Sequence, residues 1–560
     1  MQKKQTILVV ASLLIVVLSV TLAYFTAQII GKGKNVTINS ADLKIIFTDS
    51  DGSISGSNIE PGKWDVTKTF TIENKSNETY KYNIVIQNLI NTFVTNGYLQ
   101  YKITSTNDGY NMTEFKDIPK SSAPKDTILA YSVSIPVGVT QSYTIEFKYA
   151  NDESVDQSDD MGKKLSGTLF ITEGTKEPVT LLSQILKDNP TRSTRSNNNN
   201  GTNDFATPLT TTTTGTLFTS TESITGITES PKEVYYYAGN TTNNWVKFGT
   251  FASDGPIRGY NSETDTKYSE YTTLEECNSA SSYNTNCSYA WRKGDPMYWR
   301  IIRTNHDSSI RLLYVGSSPD TTTGNIGESN FNTTSNDPMY VGYKYGTTGS
   351  LENNRLNTNE STIKAFIDSW YNNNLINYTK YLSNDAVYCN DRNEGTGQKY
   401  SANSEFNFAT YYRMDWDTDG AKANPSYNCT DIRDAFSADN SSAKLTYPVS
   451  LMTADEIAFA GGVASQTMNT PYAWFISNSV GTQVSTTWWS LSSIFWNGSS
   501  AHVWNWNSDR ANLFGNWLVS RVDYASAVRP VISLKSCTLY STGDGSASNP
   551  YTILETETGC

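Results

Sequence analysis

Asp415-Trp416-Asp417-Thr418-Asp419-Gly420 sets three carboxylates at alternate positions ahead of a glycine. That spacing turns oxygens into one loop, and glycine permits the sharp turn, so the run predicts a hard-cation site with calcium as the cofactor. An EF-hand places a bidentate glutamate at the twelfth loop position; here that position is Ser426, so Asn424, Asn428 or Asp431 would have to complete a different site. A solvated acidic turn is the alternative reading of the same residues.

Trp488, Trp489, Trp504 and Trp506, with Trp496 and Trp517 beside them, form the second concentration of chemistry. Exposed rings of this kind stack on sugar faces while Asn and Asp hold the hydroxyls, which predicts a carbohydrate platform. Trp is also among the most deeply buried residues on average, and the alternation of Trp504 with Trp506 equally suits a core wall. The chain has two histidines, His306 and His502, and neither sits in a nucleophile motif. Nothing places two carboxylates together as a glycosidase requires. A catalytic role is therefore not expected.

The six cysteines lie at 277, 287, 389, 429, 537 and 560. No Cys-x-x-Cys occurs, so metal binding by thiolates is a weak reading, and an even number in an exported chain points to disulfides. Pairing by proximity predicts Cys277–Cys287, Cys389–Cys429 and Cys537–Cys560.

Several elements must hold these groups in place. From Asn35 to about residue 174 the apolar period is two: Tyr143, Ile145, Phe147 and Tyr149 alternate with polar residues, as do Tyr80, Tyr82, Ile84 and Ile86, then Leu99, Tyr101 and Ile103, then Tyr131, Val133 and Ile135. Strands with one buried face follow, and 35–175 is read as an all-β sandwich. Residues 176–230 are read as a linker: after a short amphipathic piece, Leu181 to Lys187, residues from about 188 to 230 should be extended and flexible, because Asn197 to Asn200 and Thr210 to Thr214 are low-complexity. Residues 231–560 form an α+β domain. In it Ser361 caps a helix carrying Ile363, Phe366, Ile367 and Trp370 on one face, and Thr453 with Glu456 makes a capping box.

Lys3 and Lys4 precede an apolar run from Ile7 to Phe25, so 1–30 is a signal or transmembrane segment. Its length suits a membrane anchor, and Thr21-Leu22-Ala23 suits cleavage after Ala23. Either outcome exports the remainder to the cell envelope or beyond it. The net charge of −12, with 18% charged residues and no basic stripe, excludes nucleic acid as a partner.

Residues 19–172 resemble the TasA/camelysin family of Gram-positive surface proteins. The likeness is carried by Thr21-Leu22-Ala23-Tyr24-Phe25-Thr26, Thr37-Ile38-Asn39-Ser40-Ala41-Asp42-Leu43-Lys44-Ile45, Glu60-Pro61-Gly62, Thr69-Phe70-Thr71-Ile72-Glu73-Asn74, and Asp156-Gln157 with Asp160-Met161-Gly162-Lys163. The resemblance implies a jelly-roll or immunoglobulin-like sandwich and self-assembly into matrix fibres by strand donation, which a retained anchor would impede. Residues 234–553 resemble an uncharacterised domain of exported Gram-positive gut proteins, through Tyr235-Tyr236-Tyr237-Ala238-Gly239-Asn240, Tyr298-Trp299-Arg300-Ile301-Ile302-Arg303, Leu451-Met452-Thr453-Ala454-Asp455-Glu456 and Val528-Arg529-Pro530-Val531-Ile532. More distantly, Trp488-Trp489-Ser490-Leu491-Ser492 is similar to C-type-lectin-like and formylglycine-generating-enzyme-like folds, although Glu-Pro-Asn is absent and Trp506-Asn507-Ser508-Asp509 interrupts the lectin Trp-Asn-Asp. The function expected is a non-enzymatic cell-surface or extracellular-matrix protein, secreted or membrane-anchored, that presents a C-terminal binding domain to glycan or to other surface proteins. An exported carbohydrate-active enzyme is the alternative.

Overall fold

The computed structural model describes residues 35–560 apart from 41–42, 50–52, 56–60, 76–78, 161, 175–178, 198–201, 262–267, 281–285, 467–472, 480–486, 508–511, 515–519 and 557–558; up to residue 60 it describes the backbone only. The apolar run Ile7–Phe25 and the Ala23 cleavage site lie outside these residues. Among the described residues no helix is long and apolar enough to cross a membrane. The chain divides into two compact units, Met1–Pro178 and Val179–Cys560.

The first unit is built from ten strands: β1 Asn35–Ser40, β2 Leu43–Asp49, β3 Ser53–Ser55, β4 Trp64–Asn74, β5 Tyr80–Asn91, β6 Leu99–Ser105, β7 Lys116–Asp117, β8 Ser121–Ile135, β9 Thr140–Tyr149 and β10 Leu165–Glu173. They pair as two antiparallel sheets, ordered β1-β2-β4-β9-β6-β7 and β3-β10-β5-β8. Both sheets feed one core: Phe70, Ile72, Tyr101, Ile103, Ile145 and Phe147 come from the first, and Tyr82, Ile84, Ile86, Leu169 and Ile171 from the second. Period-two alternation produces this directly, since successive side chains on a strand point to opposite faces. One expected residue breaks rank. The register of β8 against β5 shifts between Val133 and Ala130, Ser132 takes φ 50°, and Tyr131 turns outward while Ala130 is buried in its place. The bulge is pinned by the Ser132 amide, which donates to Asn83 Oδ1 at 2.8 Å.

Residues 176–230 are not a linker. From Val179 onward the chain belongs to the second unit. Thr180 caps the helix Leu181–Asp188, which buries Leu181 and Ile185 one turn apart. Strand Thr191–Thr194 then runs parallel to Thr216–Glu222, which pairs in turn with Lys232–Tyr236. Sparse apolar anchors do the packing: Leu217 and Ile224 are buried, Thr219 Oγ1 donates to the Ser193 carbonyl at 3.4 Å across the strand pair, and Thr228 Oγ1 accepts from the Ile224 amide at 2.9 Å. Arg195 Nη1 ties the segment down by donating to the Phe459 carbonyl at 2.8 Å.

The second unit is β-rich, with short helices. Its largest sheet centres on Pro296–Thr304 and Ile310–Gly316, which continue through Val531–Leu534, and another centres on Trp488–Trp496 paired with Ala501–Asn507. Helix Thr362–Asn374 starts at the Ser361 cap and buries Ile363, Ile367 and Trp370. Helix Ala454–Phe459 opens with the capping box of Thr453 and Glu456. Glu456 also accepts from Arg303 Nε at 2.9 Å and from Arg311 Nη1, while Arg303 Nη2 donates to Glu222 Oε1 at 2.8 Å. All four side chains are buried, so an ionic pin joins the central strands to the helix and to strand Thr216–Glu222. Three disulfides complete the framework, Cys277–Cys287, Cys389–Cys429 and Cys537–Cys560, with Cα separations of 6.0, 5.8 and 5.6 Å. These separations fall in the ordinary range for a bridged pair.

Candidate functional site

The tryptophan platform expected from the sequence is interior. Trp488, Trp489, Trp504 and Trp506 are 1%, 0%, 0% and 1% exposed, and their two strands are buried along their whole length. Both faces of this strand pair are covered. Trp489 Nε1 donates to the Ser329 carbonyl on one side, while Trp506 meets Phe475 edge-on at 4.9 Å. A ring with no accessible face cannot stack on a sugar.

The acidic loop is also arranged differently from a calcium loop. Asp415 and Asp419 both adopt left-handed backbone conformations around the short turn Trp416–Thr418. Asp415 Oδ2 accepts from the Lys422 amide at 2.7 Å and from the Thr418 hydroxyl, and the Asp415 carbonyl accepts from the Gly420 amide at 2.9 Å. Asp417 instead accepts from the Tyr411 hydroxyl at 2.7 Å. The carboxylates thus close the turn and hold a neighbouring ring rather than converging on one point. Among the described residues no group of three or more His, Cys, Asp or Glu side chains is placed to hold a metal ion.

What this loop frames is an aromatic surface strip on the short helix Ala409–Arg413. The inward residue Thr410 donates to the Ser493 carbonyl. Arg413 clamps the helix to the body, its Nε and Nη2 each 2.9 Å from Asp455 and its Nη1 2.6 Å from Asp391. With those two committed inward, Tyr412 faces out, while Tyr411 is half-buried against the core, its ring 5.3 Å from Tyr412 at 71° and 6.3 Å from the buried Phe495 at 79°. Tyr412 is 37% exposed and its hydroxyl accepts from Gln398 Nε2 at 2.9 Å, with Asn407 Nδ2 also bonded to it. Burial, and then the adjacent Asp417 carboxylate, hold the Tyr411 hydroxyl protonated far above the ordinary tyrosine range. The strip therefore offers ring faces, amide groups and one exposed carboxylate side by side. The consecutive tyrosines separated from the acidic run by Arg413 and Met414 were the available signal for it in the sequence.

Two other arrangements resemble catalytic ones. His502 Nδ1 lies 3.1 Å from Ser520 Oγ, with both residues buried. Its Nε2 faces Asn497 Nδ2 at 3.3 Å, because Asn497 Oδ1 is taken by the Ser499 amide, the Ser499 hydroxyl and the Ser500 amide. An Nε2 that accepts from Asn497 leaves the proton on Nδ1 and makes the histidine a donor to Ser520. A general base needs a lone pair at that position, so this is a structural contact. Burial moves the His502 pKa down to about 4, which keeps the ring neutral.

A surface cleft of about 260 Å³ is lined by Asp307, Ser383, Asn384, Asp385, Asp439, Lys535, Ser536 and Cys537. Asp307 is occupied by the Ser309 amide and the Ser383 hydroxyl. Partial burial, and then the carboxylates of Asp439 and Asp307, raise the Asp385 pKa.

No protein-family model matches the chain, and no curated protein matches it. Among solved structures, a chaperone–tip adhesin complex of CFA/I fimbriae biogenesis aligns at 10% identity over 46% of this chain and 90% of that one, with a TM-score of 0.08. A superposition that poor carries no argument about fold or function.

Proposed function

We propose that this is a non-enzymatic protein of the cell surface or extracellular matrix whose second unit binds carbohydrate through the Tyr411–Tyr412 strip. The observation that carries the reading is the strip itself. It sets the exposed Tyr412 ring and the half-buried Tyr411 ring beside Asp417, Gln398 and Asn407, the combination of apolar ring face and fixed hydrogen-bonding groups that a sugar requires. Three disulfides support an oxidising, extracellular address. The first unit, with its TasA/camelysin-like sequence features, serves as the envelope-proximal or matrix-forming support, with Ile7–Phe25 as export signal or anchor. The competing enzyme reading finds less support: His502 and Ser520 are both buried, and Asp307 in the cleft is taken up by Ser309 and Ser383.

The test is a glycan array probed with the full chain and with its Tyr412→Ala and Asp417→Asn variants. Removing one exposed ring should weaken binding by about 1–3 kcal/mol, roughly 5- to 150-fold, taking the range seen for anchor residues at binding surfaces. Retention of every glycan signal by Tyr412→Ala would remove the strip from consideration, and hydrolysis of an arrayed glycan would restore the enzyme.

A further inference from the structure

Beneath the strip's Arg413 clamp lies a small internal cavity of about 20 Å³, lined by Glu222, Arg303, Arg311, Arg413, Asp455 and Glu456 among others. Its charges are nearly all spent on one another, yet two polar atoms of lining residues are buried with no partner, Arg311 Nε and the Tyr427 hydroxyl. Arg311 is 1% exposed, and its other two nitrogens are committed, Nη1 to Glu456 Oε1 and Nη2 to the Val387 carbonyl. An orphaned donor on a charged group at this depth forfeits its hydration with nothing in return. Such groups in native interiors nearly always have a protein or water partner.

We infer that this cavity is a built site for one ordered water molecule, which accepts a hydrogen bond from Arg311 Nε and donates to the carboxylates around it. The volume decides the size of the occupant, since about 10–15 Å³ on this measure suffices for one water. The charges decide its kind. Four carboxylates (Glu222, Asp391, Asp455 and Glu456) face three guanidinium groups (Arg303, Arg311 and Arg413), which leaves the lining with an excess negative charge and opposes an anion. The unused Arg311 N–H donor opposes a cation. A neutral molecule that both accepts and donates satisfies the two conditions together. The water then belongs to the pin that joins strands Thr216–Glu222, Pro296–Thr304 and Ile310–Gly316 to the helix Ala454–Phe459, and the bridged Cys389 forms part of its wall.

A high-resolution crystal structure of the full chain, collected once native and once after a bromide soak, tests this. The expected result is a single peak in the cavity within about 3.2 Å of Arg311 Nε, with no anomalous signal in the bromide data. A cavity without density in well-ordered native maps would overturn the proposal. An anomalous bromide peak at the same place would also overturn it, and would identify the occupant as an anion.

Discussion

The two units hold the chain by opposite means. The first has no cysteine, strands as long as the fifteen residues of β8, and a single core assembled by regular alternation. In the second, the longest strands among the described residues have nine residues, and three disulfides and buried ion pairs fix loops that no period could organise. A long strand buries one residue in two at no further requirement. A short strand in a loop-rich unit must be located by a specific bond, and each such bond is a point of failure. The contrast can be read separately for the two units, because twelve of the chain's thirteen tryptophans lie beyond Val179 and only Trp64 lies before it. Tryptophan fluorescence reports the second unit almost alone.

The largest expected effect is at the ionic pin. Glu456→Ala leaves Arg303 and Arg311 buried without their shared acceptor, and breaking a buried pair in this way costs about 3–5 kcal/mol. The fluorescence transition should move to much lower denaturant, while the part of the circular-dichroism change that no fluorescence change accompanies, which belongs to the first unit, keeps its midpoint. Equal displacement of both transitions would mean that the units do not unfold separately.

Next is the bridge between Cys389 and Cys429, which closes 40 residues of sequence. Its loss through the paired change Cys389→Ser and Cys429→Ser should lower the stability of the second unit by about 2–4 kcal/mol. Reducing agent should do the same to the wild-type protein and leave the cysteine-free first unit untouched.

Acid should separate the units as well. The His502 pKa is depressed from 6.5 to about 4 by burial, so in the folded state the ring stays neutral where the unfolded chain would protonate it. Stability from this group is complete above pH 6.5 and is lost as pH falls toward 4, on the order of 3 kcal/mol in total. Glu222 acts in a lower window. Burial opposes its ionisation, but Arg303 and His306 prevail and set its pKa at about 2, so its contribution holds above about pH 4.5 and falls away below. The second unit should therefore weaken from pH 6.5 downward, measured as denaturant midpoint against pH, and His502→Gln should flatten the slope between 6.5 and 4. An unchanged slope in that variant would place the acid sensitivity elsewhere.

The same contrast governs what could be read from the sequence. Tyr143, Ile145, Phe147 and Tyr149 announce β9 because period two is a property of the backbone, and Thr453 with Glu456 announces a helix start because both capping bonds are local. The disulfide pairing was legible for the related reason that partners lie close along the chain. What escaped depends on distant residues. Leu181 and Ile185 showed as an amphipathic piece, but Leu217 and Ile224 beyond it are too sparse to form a period, so a packed segment looked like a linker. Alternation in Trp504 and Trp506 marks a strand but does not say that a second layer covers its other face. Asp415 and Asp417 look like ligands until Lys422 and Tyr411 take their oxygens.

The smallest effect tests the first unit where it departs from its own rule. Asp160 is a buried carboxylate in a core otherwise built by alternation, and it accepts from the Val94 amide at 2.6 Å, the Thr95 amide at 3.1 Å and the Tyr149 hydroxyl at 2.8 Å. Burial pushes its pKa up, but these donors together outweigh burial and leave it below the usual aspartate range. With a depressed folded pKa, the stabilisation is present above about pH 3.9, where the unfolded carboxyl is already ionised, and is lost only as pH drops further. Asp160→Asn keeps the shape but weakens three charge-assisted bonds, and should cost about 1–2 kcal/mol. Because the site sits outside the strands and pins the 94–95 turn to β9, the loss should appear in the sheet circular dichroism of the first unit and leave tryptophan fluorescence at its wild-type midpoint. A neutral outcome would show that alternation alone holds this unit. A loss matching that of Glu456→Ala would show that it, too, depends on single buried charges, and the distinction between the units would then rest on their disulfides.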